Sequence, residues 1–432
     1  MNKLRGLAAA TGAEFEIYSR SVESKKIDIE NSQLKDAQSA MSDGVSLRLL
    51  KDGMCGFSFT GDLKDPEALV NNALASLKSG VGEEFLFPGN KIFPRLKTFS
   101  EQAASVTSEN LLEEAFRIAG GLRNRSLAQI NASVKLSVIE TRIFNSSGTD
   151  ISWKESFVDK TGAIVSPGGA KYVAGESSFG LTRMSESLLE AVAGWSEADK
   201  TEIRPVPGKR NVLFMPSAMD ALLSRIQSGC SGQSLHQNTT PLAGRIGEEV
   251  FSEKLTLRNN LLDDSFPGGR FADDEGVPCS DFVLFEKGVF RGFYFDLNYA
   301  AKAGSVSTGH GFRRSAWGAD PVTMKPLPYL TRLCFDNGGT SFEDLVKDMN
   351  SGIIVFRALG VHTGNIPNGD FSIGLSTGLC VENGRIVGKA RDTMVSGNIY
   401  DVLKRVAAVG SERDPYYANN PPVLVEGVDV SS

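Results

Sequence analysis

The chain has 432 residues, of which 41% are apolar and 23% charged, a length and composition typical of a globular protein with two or three domains. Its net charge of −6 argues against nucleic acid as a direct partner, because proteins that bind polyanions carry a basic face. The N-terminal apolar run is too short for a signal peptide and no apolar run reaches the roughly 18 residues of a membrane helix, so we expect a cytoplasmic protein.

Turn and capping signals predict the first strands and the first helix. Residues 13–62 read as strands, with a turn at Lys51–Gly53 between two apolar runs. Asp65 supplies a helix N-cap before a proline, and apolar residues then recur at helical spacing as far as Leu77. The polar, proline-bearing stretch 80–98 is predicted to be a linker or long loop.

Two more helices and a pair of strands follow before residue 204. One helix starts at Thr107 or Ser108 and another covers about residues 183–198, with two strands around an Asn-Ser-Ser-Gly turn between them. This order predicts antiparallel sheet with helices packed on it. We therefore predict an N-terminal α+β region over residues 1–204, with 1–80 and 100–204 as candidate subdomains.

The remaining residues read as a second, β-rich domain. The segment Thr201–Asn211 carries two prolines and precedes an apolar strand, which predicts a boundary and a C-terminal domain at 205–432. Lys287–Gly288 and Asn383–Gly384 each separate alternating apolar residues, a strong signal for hairpins. This domain is predicted to be mostly antiparallel sheet, with short helices at about 217–227, 342–349 and 399–406.

Metal and thiol chemistry have little support in the residue pattern. The five cysteines, an odd number without a C-x-x-C pair, predict buried free thiols in a reducing compartment. His236, His310 and His362 lie 74 and 52 residues apart, without the paired spacing of a zinc helix. We interpret them as solvated or hydrogen-bonded loop residues, and a site assembled from all three is the alternative.

Serine, nucleotide and cation sites are also weakly indicated. Gly374–Gly378 fits G-x-S-x-G, but strand patterns on both sides contradict the strand-turn-helix context of a nucleophile elbow. No phosphate-binding glycine motif occurs. The acidic clusters Asp263–Asp264 and Asp273–Glu275 have the oxygen ligands for a hard cation, and a solvated turn is the preferred interpretation of both.

Several long stretches resemble the TldD/PmbA peptidase family. They are GRIGEEVFSEKLTLRNN from Gly244, the segment from Phe266 to Arg313, and NGDFSIGLSTGLCVENGRIVGKARDTMVSGN from Asn368. DGVSLRLLKDGMCGFSFTGD from Asp43 resembles the first domain of the same family. The resemblance covers nearly the whole chain and is sharpest after Asn211.

This resemblance implies a subunit without its own zinc. In the family's peptidase subunit, a helix upstream of the GRIG-like segment carries H-E-x-x-x-H, and a cysteine near the C-terminus completes the zinc site. An ungapped count back from Gly244 puts the two histidine positions at Leu223 and Ser228 and the glutamate position at Ser224. No His-Glu pair occurs in the chain, and no cysteine follows Cys380.

The resemblance therefore points to the TldE/PmbA-like subunit, which pairs with a zinc-carrying TldD-like subunit to cleave peptides. The segment Ser307–Gly311 matches a family segment near the active cleft, which makes His310, Arg313 and Arg314 candidates for contacting a peptide. A glycine-rich connection with solvated basic residues explains them equally well. A stand-alone hydrolase with an atypical site and a homodimeric peptide-binding protein are the alternative functions. The family's older name is modulator of DNA gyrase. The residues of this chain give no support for direct binding to gyrase.

Overall fold

The computed structural model describes residues 1–83, 85–314, 318–417 and 419–432. Helices and antiparallel sheets are both present, which confirms the predicted α+β class. The first seven strands form one antiparallel sheet in the order β4-β3-β2-β1-β5-β6-β7. They are β1 (Glu14–Glu30), β2 (Gln33–Lys51), β3 (Met54–Thr60), β4 (Val81–Gly82), β5 (Gln129–Asn145), β6 (Asp150–Val165) and β7 (Lys171–Ser178).

Five helices accompany this sheet, and their starts follow the capping signals. The Asp65 carboxylate accepts a hydrogen bond from the backbone N–H of Ala68 at 2.9 Å, and Thr107 forms a capping box with Asn110. The N-terminal helix was not predicted. The helices are α1 (Asn2–Ala10), α2 (Pro66–Lys78), α3 (Glu101–Ser105), α4 (Ser108–Arg123) and α5 (Glu186–Glu197).

The second half contains shorter elements. Its strands are β8 (Glu202–Ile203), β9 (Gly208–Phe214), β10 (Leu257–Asn259), β11 (Phe282–Glu286), β12 (Val289–Phe290), β13 (Gly311–Phe312), β14 (Leu327–Pro328), β15 (Leu333–Phe335), β16 (Gly352–Leu359), β17 (Asp370–Glu382), β18 (Arg385–Ala390), β19 (Met394–Asn398), β20 (Val406–Val409) and β21 (Val423–Ser431). Its helices are α6 (Asp220–Gly229), α7 (Gly232–His236), α8 (Leu297–Lys302), α9 (Phe342–Met349) and α10 (Ile399–Val402).

An eight-stranded sheet organises the second half. Its order is β16-β9-β21-β19-β17-β18-β8, and β20 also pairs with β21. An additional pairing of β16 with β17 closes five strands, β16, β9, β21, β19 and β17, into a ring. Most pairings are antiparallel, as predicted, but β9–β16 and β8–β18 are parallel. The hairpins at Lys287–Gly288 and Asn383–Gly384 have positive φ at both residues, the geometry of type I′ turns.

Two large apolar cores hold these layers together. One core lies around the closed ring and packs α6 and α10 against it. The other joins α4 and α5 to residues of both large sheets, including Val134 of the first and Ile354 of the second. All five cysteines are buried and free. The division of the chain at residues 204 and 205 stays a prediction.

Candidate functional site

A cavity of about 620 Å³ lies over one face of α6. The helix contributes Asp220, Leu223, Ser224 and Gln227 to its wall. The other walls come from segments distant in sequence, so the cavity exists only in the folded chain. Its remaining lining residues are Pro216, Met219, Arg314, Tyr329, Leu330, Thr331, Leu333, Val361, His362, Ile366, Tyr416, Tyr417 and Asn420.

A buried arginine fixes α6 against one of these segments. The Arg225 side chain is fully buried, and its guanidinium donates hydrogen bonds to the carbonyl oxygens of Val361 at 2.7 Å, Thr363 at 2.6 Å and Asp370 at 2.8 Å. It also donates to Ala221 O, one turn back on the same helix. Burial lowers the pKa of Arg225, but an arginine keeps its charge in proteins. The loop 361–370 is therefore held on α6 by one side chain.

The structure separates the three positions that the family resemblance matched to a zinc motif. Leu223 and Ser224 line the cavity, whereas Ser228 is partly buried and lies outside the cavity lining. The Ser228 carbonyl oxygen accepts a hydrogen bond from the Ser231 hydroxyl. The Ser224 hydroxyl donates to Asp220 O at 2.6 Å. Leucine offers no donor atom, and a hydroxyl engaged with its own helix is a poor metal ligand.

The described residues do not supply a substitute zinc site. Within 1–83, 85–314, 318–417 and 419–432, no three His, Cys, Asp or Glu side chains are grouped so that they could hold a metal ion. His362 lines the cavity, whereas His236 is on α7 beside Tyr299 and His310 is buried elsewhere. The chemistry of these residues therefore does not fit a catalytic zinc, which needs three protein ligands and an open position.

Carboxyl groups near the cavity are shifted toward the neutral form. Asp220 is exposed at the rim, yet the surrounding protein removes part of its water and raises the pKa of this carboxyl. Burial raises the pKa of Asp414 to about 6, although the backbone N–H of Tyr416 donates to its Oδ1 at 3.0 Å. We assign neither carboxylate a catalytic role.

Tyr416 joins the cavity wall to the first sheet. Its ring lies directly over Gly175 of β7, where a Cβ atom would come within 2.3 Å of the ring. Tyr417 packs edge-on against Tyr416, with 5.0 Å between the ring centroids. Burial raises the pKa of Tyr417, so its hydroxyl stays protonated. The cavity thus has one aromatic wall that depends on a glycine in a different sheet.

Only one of the three predicted peptide-contacting residues reaches this cavity. Arg314 is exposed and lines it. His310 is fully buried: its Nδ1 lies 2.9 Å from Thr308 Oγ1, and burial lowers its pKa to about 4. Arg313 is also fully buried and bonded to Glu16. Neither buried side chain is open to a peptide here, so peptide contact is kept as a proposal for Arg314 alone.

The acidic turn at 273–275 is not solvated, contrary to the sequence interpretation. Asp273, Asp274 and Glu275 are all buried. Glu275 accepts from Arg48 at 3.0 Å. Burial raises the pKa of Asp274, but its ion pair with Arg270 at 2.6 Å outweighs this and the net shift is downward. The turn belongs to a buried charge network, whereas Asp264 is exposed and Asp263 is partly exposed.

A larger cavity, of about 1050 Å³, lies beside the β2–β3 turn. It is bordered by Phe85, Phe87 and the end of α8. None of the residues singled out by the sequence for peptide or metal chemistry lines it, although Ser307 of the segment before His310 does. The cavity over α6 is therefore the better candidate, because Leu223, Ser224 and Arg314 meet there.

Fold and site together define an α+β protein with a cavity on the helix that carries two of the matched motif positions. Residues 207–432 match the family described as PmbA/TldA metallopeptidase C-terminal domain, and residues 15–77 match its domain 1. The chain belongs to this PmbA/TldD metallopeptidase family, as the sequence stretches indicated.

Known proteins of similar sequence and structure agree with this assignment. A metalloprotease of Methanothermobacter thermautotrophicus is 24% identical over 404 residues, covering 89% of this chain and 85% of that protein. A Thermotoga maritima crystal structure described as a modulator of a DNA gyrase is 25% identical, with a TM-score of 0.85 over 100% of this chain and 99% of that one. TldE from Thermococcus kodakarensis shares the fold, with a TM-score of 0.89, 22% identity and coverage of 100% and 99%.

None of the helices in the described part of the chain is both long and apolar enough to cross a membrane. The cytoplasmic location stays a prediction.

Proposed function

We propose that this chain is a non-catalytic subunit of a peptidase complex and that its cavity over α6 receives peptide. One observation carries the proposal: the helix face that lines the cavity presents Leu223 and Ser224 at the positions matched to the family's catalytic motif. A peptidase of this type activates water with a metal and a carboxylate base. Neither residue can take those roles, but both line an open cavity.

The cavity has the properties of a peptide site. A volume of about 620 Å³ lies in the usual range for ligand pockets. Apolar walls from Leu223 and Leu330 stand beside polar groups on Arg314, Thr331 and Asn420. Such a mixture suits an extended peptide, whose backbone needs hydrogen bonds and whose side chains need apolar contact.

The catalytic partner is inferred from the family resemblance. It would be a TldD-like chain with H-E-x-x-x-H, which would hold the zinc and form a heterodimer with this chain. Any influence on DNA gyrase would then be indirect, through degradation of a peptide or small protein acting on gyrase. Capture of gyrase by this chain alone would contradict that indirect route.

The test is metal content and peptidase activity of the purified chain, alone and mixed with an H-E-x-x-x-H family member from the same source. We expect no stoichiometric zinc and no cleavage alone, and cleavage by the mixture above that of the partner. Leu223→Trp fills the cavity and should abolish this gain without preventing complex formation. Leu127→Trp, at a residue 95% exposed and outside the cavity lining, is the matched control.

Two outcomes would replace the proposal. Stoichiometric zinc with chelator-sensitive cleavage by the lone chain would establish a stand-alone hydrolase. Peptide binding by a stable homodimer, with no gain from the TldD-like chain, would establish a peptide-binding protein.

A further inference from the structure

The cavity over α6 contains two side chains of opposite charge that are not paired with each other. Asp220 and Arg314 both line the cavity, and both are exposed. Among the described residues, neither side chain takes part in a hydrogen bond or an ion pair. The cavity therefore offers one cation and one carboxylate to the molecule that it receives.

Both side chains start from backbone that the fold holds in place. Asp220 is the first residue of α6, and the buried guanidinium of Arg225 fastens this helix to a neighbouring loop. Arg314 follows Arg313, whose backbone N–H donates a hydrogen bond to Asp274 Oδ2 at 2.8 Å. Binding groups on rigid elements lose less conformational freedom when a ligand binds. The fold therefore sets the separation between the cation and the carboxylate.

The rest of the wall suits a ligand with an apolar body and two charged ends. Met219, Leu223, Leu330, Val361 and Ile366 all line the cavity. A short peptide with apolar side chains and free termini has this chemistry, because it carries an ammonium at one end and a carboxylate at the other. A long chain would leave at least one terminus outside a cavity of about 620 Å³.

We propose that the cavity selects short peptides with both termini free, so that Arg314 binds the C-terminal carboxylate and Asp220 binds the N-terminal ammonium. This inference rests on the proposed function, which it narrows to one class of peptide. An arginine can donate two parallel hydrogen bonds to a carboxylate, a geometry that a point charge lacks. The surrounding protein partly dehydrates the Asp220 carboxyl and raises its pKa, and an ammonium beside it would favour the charged form again.

Blocking one terminus at a time tests both contacts. The probe is the tripeptide Ala-Leu-Ala, compared with its C-terminal amide and its N-acetyl derivative by isothermal titration calorimetry of the purified chain. A hydrogen bond to a charged group contributes enough free energy to change the affinity about tenfold. We therefore expect the amide and the N-acetyl peptide each to bind about tenfold more weakly than the free tripeptide.

Substitutions assign each terminus to its side chain. Arg314→Gln should no longer distinguish the free tripeptide from its amide, but should still bind the N-acetyl peptide more weakly than the free one. Asp220→Asn should show the reverse pattern. Both residues are exposed, so neither substitution should prevent folding. Arg385→Gln and Glu253→Gln, at exposed residues outside the cavity lining, are the matched controls and should bind like the wild type.

The outcomes separate this inference from the proposed function. Equal affinity for the free tripeptide and either blocked peptide would overturn the inference, as would a variant that stays sensitive to the terminus assigned to the replaced side chain. The proposed function would then stand, because the chain would still bind peptide. Absence of binding by all three peptides would overturn the inference alone if the chain still raises cleavage by its TldD-like partner, and the proposed function as well if it does not.

Discussion

Arg313 and Glu16 form a fully buried ion pair, with 2.7 Å between Nη2 and Oε1 and neither side chain accessible to solvent. Glu16 lies on β1, whereas Arg313 directly follows β13, so the pair joins the first sheet to the second half of the chain. Glu16 also accepts from Arg48 at 2.7 Å. Burial lowers the pKa of Arg313, and Glu16 opposes this shift. The pair is therefore a structural contact and not a peptide-binding group.

Breaking this pair should strongly destabilise the fold. Arg313→Met leaves Glu16 buried with one cation fewer, and loss of one partner of a buried pair costs about 3–5 kcal/mol. Chemical denaturation measures the free energy of unfolding. Lys209→Met is the matched control, because its ion pair with Asp429 is equally short, at 2.6 Å, but exposed. That variant should lose less than about 1 kcal/mol, and equal losses would refute the assignment.

His310 should make the protein sensitive to acid. Its pKa is about 4 in the fold and about 6.5 in an unfolded chain, so the unfolded state binds the extra proton between these values. The free energy of unfolding should be unaffected by this residue above about pH 6.5 and should fall as pH drops to about 4. The loss amounts to about 3 kcal/mol, from roughly 1.4 kcal/mol per pKa unit.

Replacing His310 by glutamine removes this titration. The free energies of unfolding of wild type and His310→Gln, measured by chemical denaturation between pH 7 and pH 4, should therefore converge as the pH falls. The difference between the two proteins isolates the histidine from buried carboxyls such as Asp414, whose pKa of about 6 lies in the same range. A constant difference between the two free energies of unfolding across this pH range would mean that the His310 ring is accessible to protons in the folded state.

Local signals in the sequence predicted much of the secondary structure. The turn at Asp52–Gly53, the N-cap Asp65 and the short helix α9 all depend on residues within a few positions of each other. Residues 13–62 were predicted as strands, and β1, β2 and β3 cover most of that range, including the outer part of the β1–β2 hairpin. Within this hairpin Ile27 and Ile29 are buried, whereas every residue of 33–43 except Asp36 is exposed, so no apolar alternation marks the outer part of β2.

The buried charge network was beyond prediction for a different reason. Glu275 and its partner Arg48 are 227 residues apart, and a run of three acidic residues ordinarily lies at the surface. The motif count identified Leu223 and Ser224, which line the cavity in the structure, but it did not predict the cavity itself. The same count gave Ser228, which lies outside the lining, since only the fold determines which residues of α6 face the other walls.

Arg225 should control the mobility of the loop 361–370. Arg225→Met removes the buried donor from three loop carbonyl oxygens, and each bond to a charged group contributes about 1.5–3 kcal/mol. We expect faster amide hydrogen exchange across 361–370 and a loss of at least about 2 kcal/mol in unfolding free energy. Arg405→Met is the control, because Arg405 also bonds three carbonyls but is exposed, so water can replace it.

Gly175 should be required for the aromatic wall of the cavity. A methyl group at this position would lie 2.3 Å from the ring of Tyr416, far inside van der Waals contact, so Gly175→Ala must displace the ring. Overpacking of this kind costs about 1–3 kcal/mol. The displaced ring should also weaken peptide binding, measured by titration with a labelled peptide, if Tyr416 and Tyr417 form the wall.

Gly194→Ala distinguishes this clash from a general effect of replacing glycine. Gly194 lies inside α5 and a methyl group there meets no atom within 4 Å. Alanine should therefore stabilise the helix by about 0.5–1 kcal/mol and leave peptide binding unchanged. The two variants should therefore change the free energy of unfolding in opposite directions. This difference follows from the position of Tyr416 alone, because both substitutions reduce the entropy of the unfolded chain in the same way. Stabilisation by Gly175→Ala would show that the Tyr416 ring does not occupy this place in solution.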